Sequence, residues 1–218
     1  MRKIFESELQ AVGDDLTKMS LLVKEAMQQA STALLNGDLP LAQKVIDEDR
    51  FIDELERNLD ERCILLLAQQ QPVATDLRVV VSALRISASL ERMGDLARHI
   101  ASVARRSFPK NAVATPLAPT FEAMSAAAMR VANRTHTLLA SHDLEVGSNI
   151  QRDDDLLDDL HNTVFVSILS DDWEGTAQQT VDLTLLSRYF ERFGDHAVSI
   201  AQRMSFLVTG DFDEAQVS

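Results

Sequence analysis

The sequence contains the stretch Leu90-Glu-Arg-Met-Gly-Asp-Leu-Ala-Arg-His-Ile100, and a related stretch lies 100 positions later, at Phe190-Glu-Arg-Phe-Gly-Asp-His-Ala-Val-Ser-Ile200. Both follow the order apolar, Glu, Arg, apolar, Gly, Asp, and both continue with Ala and Ile at matching positions. The apolar residues around the first stretch fall on helical stripes. The two stretches therefore indicate a duplicated helix, and a repeat is to be expected in the rest of the chain.

Each stretch places a Glu four residues before an Asp, first as Glu91 and Asp95 and then as Glu191 and Asp195. Residues at this spacing share one face of an α-helix, with Cβ atoms roughly 5–6 Å apart. Two like charges at this distance weaken a helix. Because the same arrangement occurs twice in one sequence context, we expect a cation or a basic partner to neutralise it.

The remainder of the sequence repeats in the same way. An offset of 105 positions aligns Asp49 with Asp154, and the offset falls to 100 for the segments that carry the Glu-Arg motifs. A segment over residues 109–119 contains three prolines and shows no periodicity, which is typical of a linker. The sequence therefore predicts two tandem repeats, over residues 1–110 and 111–218.

Each repeat contains three segments whose apolar residues recur at steps of three and four. The chain has only 7 Gly and 5 Pro, which disfavours a loop-rich or all-β fold. Long helices joined by short turns pack antiparallel. We predict an all-α protein with two up-down-up three-helix bundles, in which Thr75 or Asp76 caps the third helix. The predicted helices cover residues 5–36, 39–70, 75–108, 120–141, 144–170 and 176–208.

A second set of acid pairs lies on the helices that precede the Glu-Arg motifs. Asp49 and Asp53 are four residues apart, as are the aligned Asp154 and Asp158. Because neighbouring helices carry the two kinds of pair, we predict one four-carboxylate cluster in each bundle. Oxygen-only ligands suit Mg, Mn, Ca or ferric iron. The predicted metal ligands are Asp49, Asp53, Glu91, Asp95, Asp154, Asp158, Glu191 and Asp195.

Salt bridges are an alternative explanation for these acids. Arg85 and Arg92 lie beside the acids of the third helix, and Arg188 and Arg192 lie beside those of the sixth. Interhelical salt bridges from these arginines could neutralise the carboxylates without any metal. On this interpretation the protein is a purely structural helical dimer.

The fifth helix leaves two further questions open. Asp155 and Asp159 are also four residues apart, so the register of the acid pair could shift by one position. The repeat alignment favours the pair that begins one residue earlier. His161 and His196 lie close to the predicted acids in sequence, and we expect them to be hydrogen-bonding neighbours rather than metal ligands.

The composition limits the class of protein. A net charge of −13 argues against nucleic-acid binding and suits a cation or a basic partner surface. The single cysteine, Cys63, excludes an intramolecular disulfide, and its apolar flanks predict a buried thiol. No apolar run approaches the ~18 residues of a membrane span, and the first residues lack a signal-peptide core. We expect a cytoplasmic protein without membrane insertion.

Catalytic signatures are missing from the sequence. It has no glycine-rich phosphate loop and no Walker or Rossmann pattern. The Glu-x-x-His motif of ferritin-like di-iron proteins is also absent, and Asp158-x-x-His161 is the nearest approach. We therefore predict that the chain is not an enzyme. The alternative is a metal-dependent hydrolase that acts on phosphate esters through carboxylate-held metals.

Taken together, these motifs resemble those of the PhoU family of bacterial phosphate-uptake regulators, and the resemblance extends over essentially the whole chain. It rests on Asp49-Arg-Phe-Ile-Asp53 and Glu91-Arg-Met-Gly-Asp95 in the first repeat, and on Asp154-Asp-Leu-Leu-Asp158 and Glu191-Arg-Phe-Gly-Asp195 in the second. The stretch Pro72-Val-Ala-Thr-Asp-Leu-Arg78 is also similar to the family's.

The resemblance implies a non-enzymatic signalling adaptor that is cytosolic and usually a homodimer. Such an adaptor represses the phosphate-starvation response and links the ATPase subunit of the Pst phosphate transporter to a phosphate-sensing histidine kinase. In some members of the family the acidic motifs bind metal clusters. The resemblance therefore implies a divalent or ferric ion, such as Fe, Mn, Mg or Zn, at the acids named above.

Overall fold

The computed structural model describes residues 2–210, and over that range the chain is helical with connecting turns. This confirms the predicted all-α fold. Residues 211–218, the end of the predicted second repeat, lie outside the described residues. The elements in chain order are α1 (Arg2–Asn36), α2 (Leu39–Glu48), α3 (Arg50–Gln70), α4 (Ala74–Ser107), a 3-10 helix (Thr115–Leu117), α5 (Ala118–Ser141), α6 (Leu144–Ile168) and α7 (Ala177–Thr209).

The predicted helix over residues 39–70 is present, with a local irregularity at Asp49 that divides it into α2 and α3. Asp49 keeps helical dihedral angles, with φ −51° and ψ −37°. Its carbonyl accepts hydrogen bonds from the N–H of Ile52 at 2.9 Å and of Asp53 at 3.3 Å. The bond to Ile52 spans three residues and tightens the turn locally. The break is therefore an irregularity within one rod and not a loop.

Local capping explains most of the other helix ends. Gly37 has φ 65°, the left-handed conformation that glycine provides after a helix. The Asp38 side chain accepts from the N–H of Leu41 at 3.0 Å and caps α2. At the start of α7, Thr176 and Gln179 form a reciprocal capping box.

The start of α4 differs from the prediction. The helix begins at Ala74, and Val73 is its N-cap residue, without a side-chain cap hydrogen bond. The proposed cap at Thr75 or Asp76 was therefore wrong by two or three residues. Asp76 lies instead in the first turn, where its negative charge interacts favourably with the helix dipole.

Helices α4 and α7 form the central pair of the molecule and run antiparallel. Arg106, near the end of α4, donates to Asp182, near the start of α7, at 2.5 Å. At the other end, the guanidinium of Arg78 lies 5.6 Å from the ring centroid of Phe206. Because α4 and α7 are equivalent helices of the two repeats, their antiparallel contact relates the repeats by an approximate two-fold rotation.

The two repeats share one hydrophobic core. Helix α1 packs against α4 and α5, whereas α6 packs against α5 and α7. The buried apolar side chains of both repeats belong to one continuous cluster, which includes the fully buried Met19, Met93, Phe121 and Phe190. A hydrogen bond of 2.9 Å between Ser20 Oγ and His136 Nδ1 also joins α1 to α5.

Cys63 is buried in the core as a free thiol, as predicted, and burial raises its pKa to about 11. Within residues 2–210, no helix combines the length and the apolar character that crossing a membrane requires.

Candidate functional site

Two glycines bring the acid-bearing helices together. A Cβ atom on Gly94 of α4 would lie 2.8 Å from Ile52 Cδ1 of α3. A Cβ atom on Gly194 of α7 would lie 2.1 Å from Asp154 Oδ1 of α6. Real Cβ atoms do not approach so closely, so any larger residue at either position would force the Ile52 or the Asp154 side chain to move. The glycine of the repeated motif therefore places one acidic helix against the next in each half.

In the first half, an arginine lies between the acids. Arg98 Nε lies 2.6 Å from Asp49 Oδ2, and Arg98 Nη2 lies 2.6 Å from Asp95 Oδ1. Arg92 also reaches Asp95 at 3.1 Å and Glu91 at 3.6 Å. We call Asp49, Asp53, Glu91 and Asp95 the first cluster. Its charge is partly neutralised within the chain itself.

Burial changes the protonation of the first cluster. It raises the pKa of Asp49 to about 6, and the neighbouring carboxylates of Asp53 and Asp95 act in the same direction. The positive charge of Arg98 opposes these effects. The pKa of Glu91 is also raised, chiefly by burial and then by Asp95, although Arg92 lowers it.

The second half has acids at the equivalent positions, and here the neighbouring arginine is Arg188, three residues before Glu191. We call Asp154, Asp158, Glu191 and Asp195 the second cluster. Asp154 and Glu191 are buried, with 6% and 8% of their surface exposed, and Asp158 and Asp195 are exposed. Arg188 donates to Glu191 Oε1. Within the described residues, Asp154 Oδ1 and Glu191 Oε2 are buried and have no hydrogen-bond partner.

Burial and mutual repulsion raise the pKa values of the second cluster, and Arg188 opposes the effect at Asp158 and Glu191. Burial raises the pKa of Asp154 to about 7, and the carboxylates of Asp158 and Asp195 raise it further. The pKa of Asp158 is raised by burial and then by Asp195. Burial and Asp195 likewise raise the pKa of Glu191, against the opposing charge of Arg188.

The structure also decides the register of α6. Asp154 lies against α7, at Gly194. Asp158 is exposed, as are Asp155 and Asp159, but burial and then Asp195 of α7 raise its pKa, which places it beside that helix. Asp153 is buried on another side of the helix, where Arg130 Nε donates to it at 2.8 Å and Arg134 also bonds it. The acid pair that approaches the Glu-Arg helix is thus the one given by the repeat alignment.

The two histidines near the second cluster have other neighbours. His161 Nδ1 lies 2.9 Å from Ser187 Oγ, and its ring packs edge-on against Phe165 at 4.8 Å. Burial lowers the pKa of His161 and of His196, and nearby arginines lower both further. Both rings are therefore held toward their neutral form.

In their present side-chain positions, the acids do not converge on one point. Within residues 2–210, no group of three or more His, Cys, Asp or Glu side chains is arranged to hold one metal ion. The buried unpartnered oxygens of Asp154 and Glu191 nevertheless fit a cation chemically, because a buried carboxylate oxygen without a donor is costly. In the first cluster, Arg98 already supplies that donor.

The roles of three residues of the site were not predicted from the sequence. Arg98 lies three residues after Asp95, a spacing that permits a salt bridge, but its reach to Asp49 depends on the contact between α3 and α4. Gly94 and Gly194 occupy the same position in the two copies of the motif. Their role as contact points could have been suspected from that repetition alone.

Comparison with known proteins agrees with the duplicated architecture. A family model described as the PhoU domain matches residues 16–104 and again residues 121–204. The phosphate-specific transport system accessory protein PhoU homolog 2 of Mycobacterium tuberculosis H37Rv is 40% identical, over 97% of this chain and 100% of that protein. Homolog 1 of Mycobacterium leprae is 37% identical, over 98% of this chain and 96% of that protein.

Solved structures give the same result. The crystal structure of PhoU from Pseudomonas aeruginosa superposes with a TM-score of 0.84 and 28% identity, covering 95% of this chain and 100% of that one. Fold and motifs together define a two-repeat helical-bundle protein with an acidic Glu-Arg motif in each repeat. The chain belongs to the PhoU family, as its motifs indicated.

Proposed function

We propose that the chain is a non-enzymatic, cytoplasmic regulator of phosphate uptake that lowers the activity of a Pst phosphate transporter and of phosphate-regulon signalling. The observation that carries this proposal is the match of both repeats to the PhoU domain. It is supported by the relatives, whose names describe accessory proteins of the phosphate-specific transport system.

The proposed partners are the ATPase subunit of the Pst transporter and a phosphate-sensing histidine kinase, and the proposed assembly is a homodimer. The net charge of −13 is compatible with docking on basic surfaces and argues against nucleic acid as a partner. Binding of the purified ATPase subunit, measured by calorimetry with and without phosphate, tests the first partnership. Sedimentation analysis tests the dimer.

Metal binding by the two acidic clusters forms part of the proposal, and the second cluster has the stronger support. Asp154 Oδ1 and Glu191 Oε2 are acceptors that a cation would satisfy. Asp158 and Asp195 are exposed, and after burial their charges contribute most to the raised pKa of Asp154. A bound divalent or ferric ion, such as Fe, Mn, Mg or Zn, would supply positive charge and hold α6 to α7.

A gene deletion tests the regulatory role. In a strain without any other family member, removal of the gene should raise phosphate-responsive transcription in phosphate-rich medium, and re-expression should restore repression. A phosphate-responsive reporter measures both. Unchanged reporter activity after deletion would contradict the proposal.

The proposal that the chain is not an enzyme has a separate test. The purified protein should show no turnover of phosphate esters when Mn²⁺ or Mg²⁺ is added. Hydrolysis that requires the cation and is lost in Asp195→Asn would instead favour a metal-dependent hydrolase.

A further inference from the structure

Four large apolar side chains are exposed where α6 ends and α7 begins. Val166 and Leu169 belong to α6, and Val181 and Leu185 belong to α7, with 37% to 76% of their surface exposed. Each pair is spaced by three or four residues and therefore lies on one side of its helix. Because α6 and α7 pack antiparallel across a short turn, both pairs lie at the same end of the groove between them. We call these four residues the apolar patch.

A cavity adjoins the apolar patch. It has a volume of about 600 Å³, and Leu117, Val166 and Trp173 form part of its wall. Trp173 Nε1 donates to Thr180 Oγ1 at 2.9 Å, so the indole ring is held beside the first turns of α7. A cavity of this size accepts a bulky apolar side chain, and such anchored side chains carry much of the affinity of protein interfaces.

The same groove continues from the apolar patch to the second cluster. Val181 and Glu191 are separated by about 15 Å along α7, at about 1.5 Å per residue. Asp154 Oδ1 and Glu191 Oε2 are buried and unpartnered among the described residues. Arg188 bonds Glu191 Oε1, and the charge of Arg192 also acts on that carboxylate. These two positive charges do not balance the four carboxylates of the cluster.

We infer that the groove between α6 and α7 binds an amphipathic helix of a partner protein, whose large apolar side chains cover the apolar patch and whose basic side chains reach the second cluster. The inference rests on the proposed function and names the surface on which this regulator would meet a partner. The groove between two antiparallel helices accepts the side-chain ridges of a third helix. At about 1.5 Å per residue, the basic side chains would lie about 10–14 positions from the apolar ones.

Charge favours a basic partner over a second copy of this chain in the groove. The chain has a net charge of −13, so a second copy would bring more negative charge to the second cluster. A basic helix supplies the positive charge that the cluster lacks and the donors that its buried oxygens can accept.

A synthetic helical peptide of about 18 residues, with leucines on one face of one half and arginines on the same face of the other half, tests the inference. It contains no tryptophan, so Trp173 of the full-length protein, the only tryptophan of the chain, reports on binding. The peptide should change the Trp173 fluorescence to saturation, and high salt should weaken the binding. A scrambled peptide of the same composition should bind about tenfold more weakly or worse.

Variants of the apolar patch locate the site. Leu169→Ser combined with Val181→Ser should weaken peptide binding about tenfold, because both side chains would be covered by the helix. Ile64→Ser combined with Val81→Ser is the matched control. The repeat offsets align these two residues with the first pair, and they are also exposed, but they lie on α3 and α4. The control should leave the Trp173 titration unchanged, and circular dichroism verifies the fold of each variant.

Variants of the exposed acids test the basic end of the helix. Asp158→Asn combined with Asp195→Asn should weaken binding of the arginine peptide about tenfold. A peptide with glutamine in place of arginine should bind this variant and the wild type equally. A loss that is the same for both peptides would overturn the assigned contact between basic residues and the second cluster.

The other failures are distinguishable. Absence of a saturable change in Trp173 fluorescence, equal binding of the scrambled peptide, or full affinity in the Leu169 and Val181 variant would overturn the inference. The regulatory role would stand, because the gene deletion tests it separately. A dimer in sedimentation analysis that dissociates in the Leu169 and Val181 variant would show a second copy in the groove, and would also overturn the inference.

Discussion

At the scale of single residues, Asp154 shows how strongly surroundings govern a carboxylate. It has only 6% of its surface exposed, and the charges that act on it most strongly are other carboxylates. Burial, followed by Asp158 and Asp195, raises its pKa from 3.8 to about 7. Asp49 is its counterpart in the first repeat, and there the charge of Arg98 opposes the effect of burial.

A substitution at this residue should have a pH-dependent effect in metal-free protein. Because the pKa of Asp154 is raised in the folded state, its contribution to stability is present at low pH and is lost as the pH rises through about 7. Asp154→Asn should therefore raise the free energy of unfolding at pH 8 by about 1–3 kcal/mol. This advantage should shrink toward pH 5.

Urea unfolding at both pH values, in the presence of a chelator, measures this difference. Asp171→Asn is the control, because Asp171 is exposed and lies in the turn between α6 and α7, remote from the acidic cluster. It should change stability little at either pH. An effect of Asp154→Asn that is the same at pH 5 and pH 8 would contradict the assigned burial of charge.

At the scale of helices, the contact between α6 and α7 depends on the absence of a side chain at Gly194. The nearest atoms to a Cβ there would be Asp154 Oδ1 at 2.1 Å and Leu157 Cδ1 at 3.1 Å. The corresponding contact of Gly94 is with Ile52 Cδ1 at 2.8 Å. With glycine at these two positions, the helices of each pair approach more closely than they could with larger side chains there.

Gly194→Ala should destabilise the protein, even though alanine favours helices over glycine by about 1 kcal/mol. The methyl group would displace the buried Asp154, and we expect a net loss of about 1–3 kcal/mol. Gly13→Ala in α1 is the control, since a Cβ there would meet nothing within 4 Å. It should stabilise by about 0.5–1 kcal/mol. Chemical denaturation of both variants measures the contrast, and equal stabilisation would contradict the tight contact.

At the scale of the whole molecule, polar and apolar contacts bind the two repeats together. Asp182 at the start of α7 has only 5% of its surface exposed, and it accepts from Arg106 of α4 at 2.5 Å and from Gln178 at 3.0 Å. The hydrophobic core runs without interruption through both repeats. The repeats are thus joined as one folding unit, although the sequence shows them as two.

Replacement of Arg106, the partner of Asp182, should weaken the contact between α4 and α7. Arg106→Met keeps the aliphatic stem but leaves a buried carboxylate with Gln178 as its remaining donor, and we expect a loss of about 1–3 kcal/mol. Arg105→Met is the control, because Arg105 is exposed and its side chain donates to Gln43 at 3.0 Å. Its effect should stay within about 0.5 kcal/mol. Thermal and urea unfolding compare the two, and similar losses would refute the importance of the ion pair.

The shared core also predicts cooperative unfolding. Trp173 is the only tryptophan of the chain and lies in the turn between α6 and α7, so its fluorescence reports on the second repeat. Far-UV circular dichroism reports on both repeats. The two signals should follow one transition in urea. Separate midpoints would show that the repeats unfold independently.

Sequence alone determined the helical class, the duplication, the family and the identity of the acidic residues, because helical periodicity and a fixed repeat offset are local properties of the chain. Only the tertiary structure decided which arginine reaches which acid, and that α2 and α3 separate at Asp49. Spacing sets the face of a helix on which a residue lies, but not the neighbour that comes within its reach. That neighbour depends on the glycine contacts between helices, and these contacts give Asp49 a counter-charge in Arg98 and leave Asp154 without one.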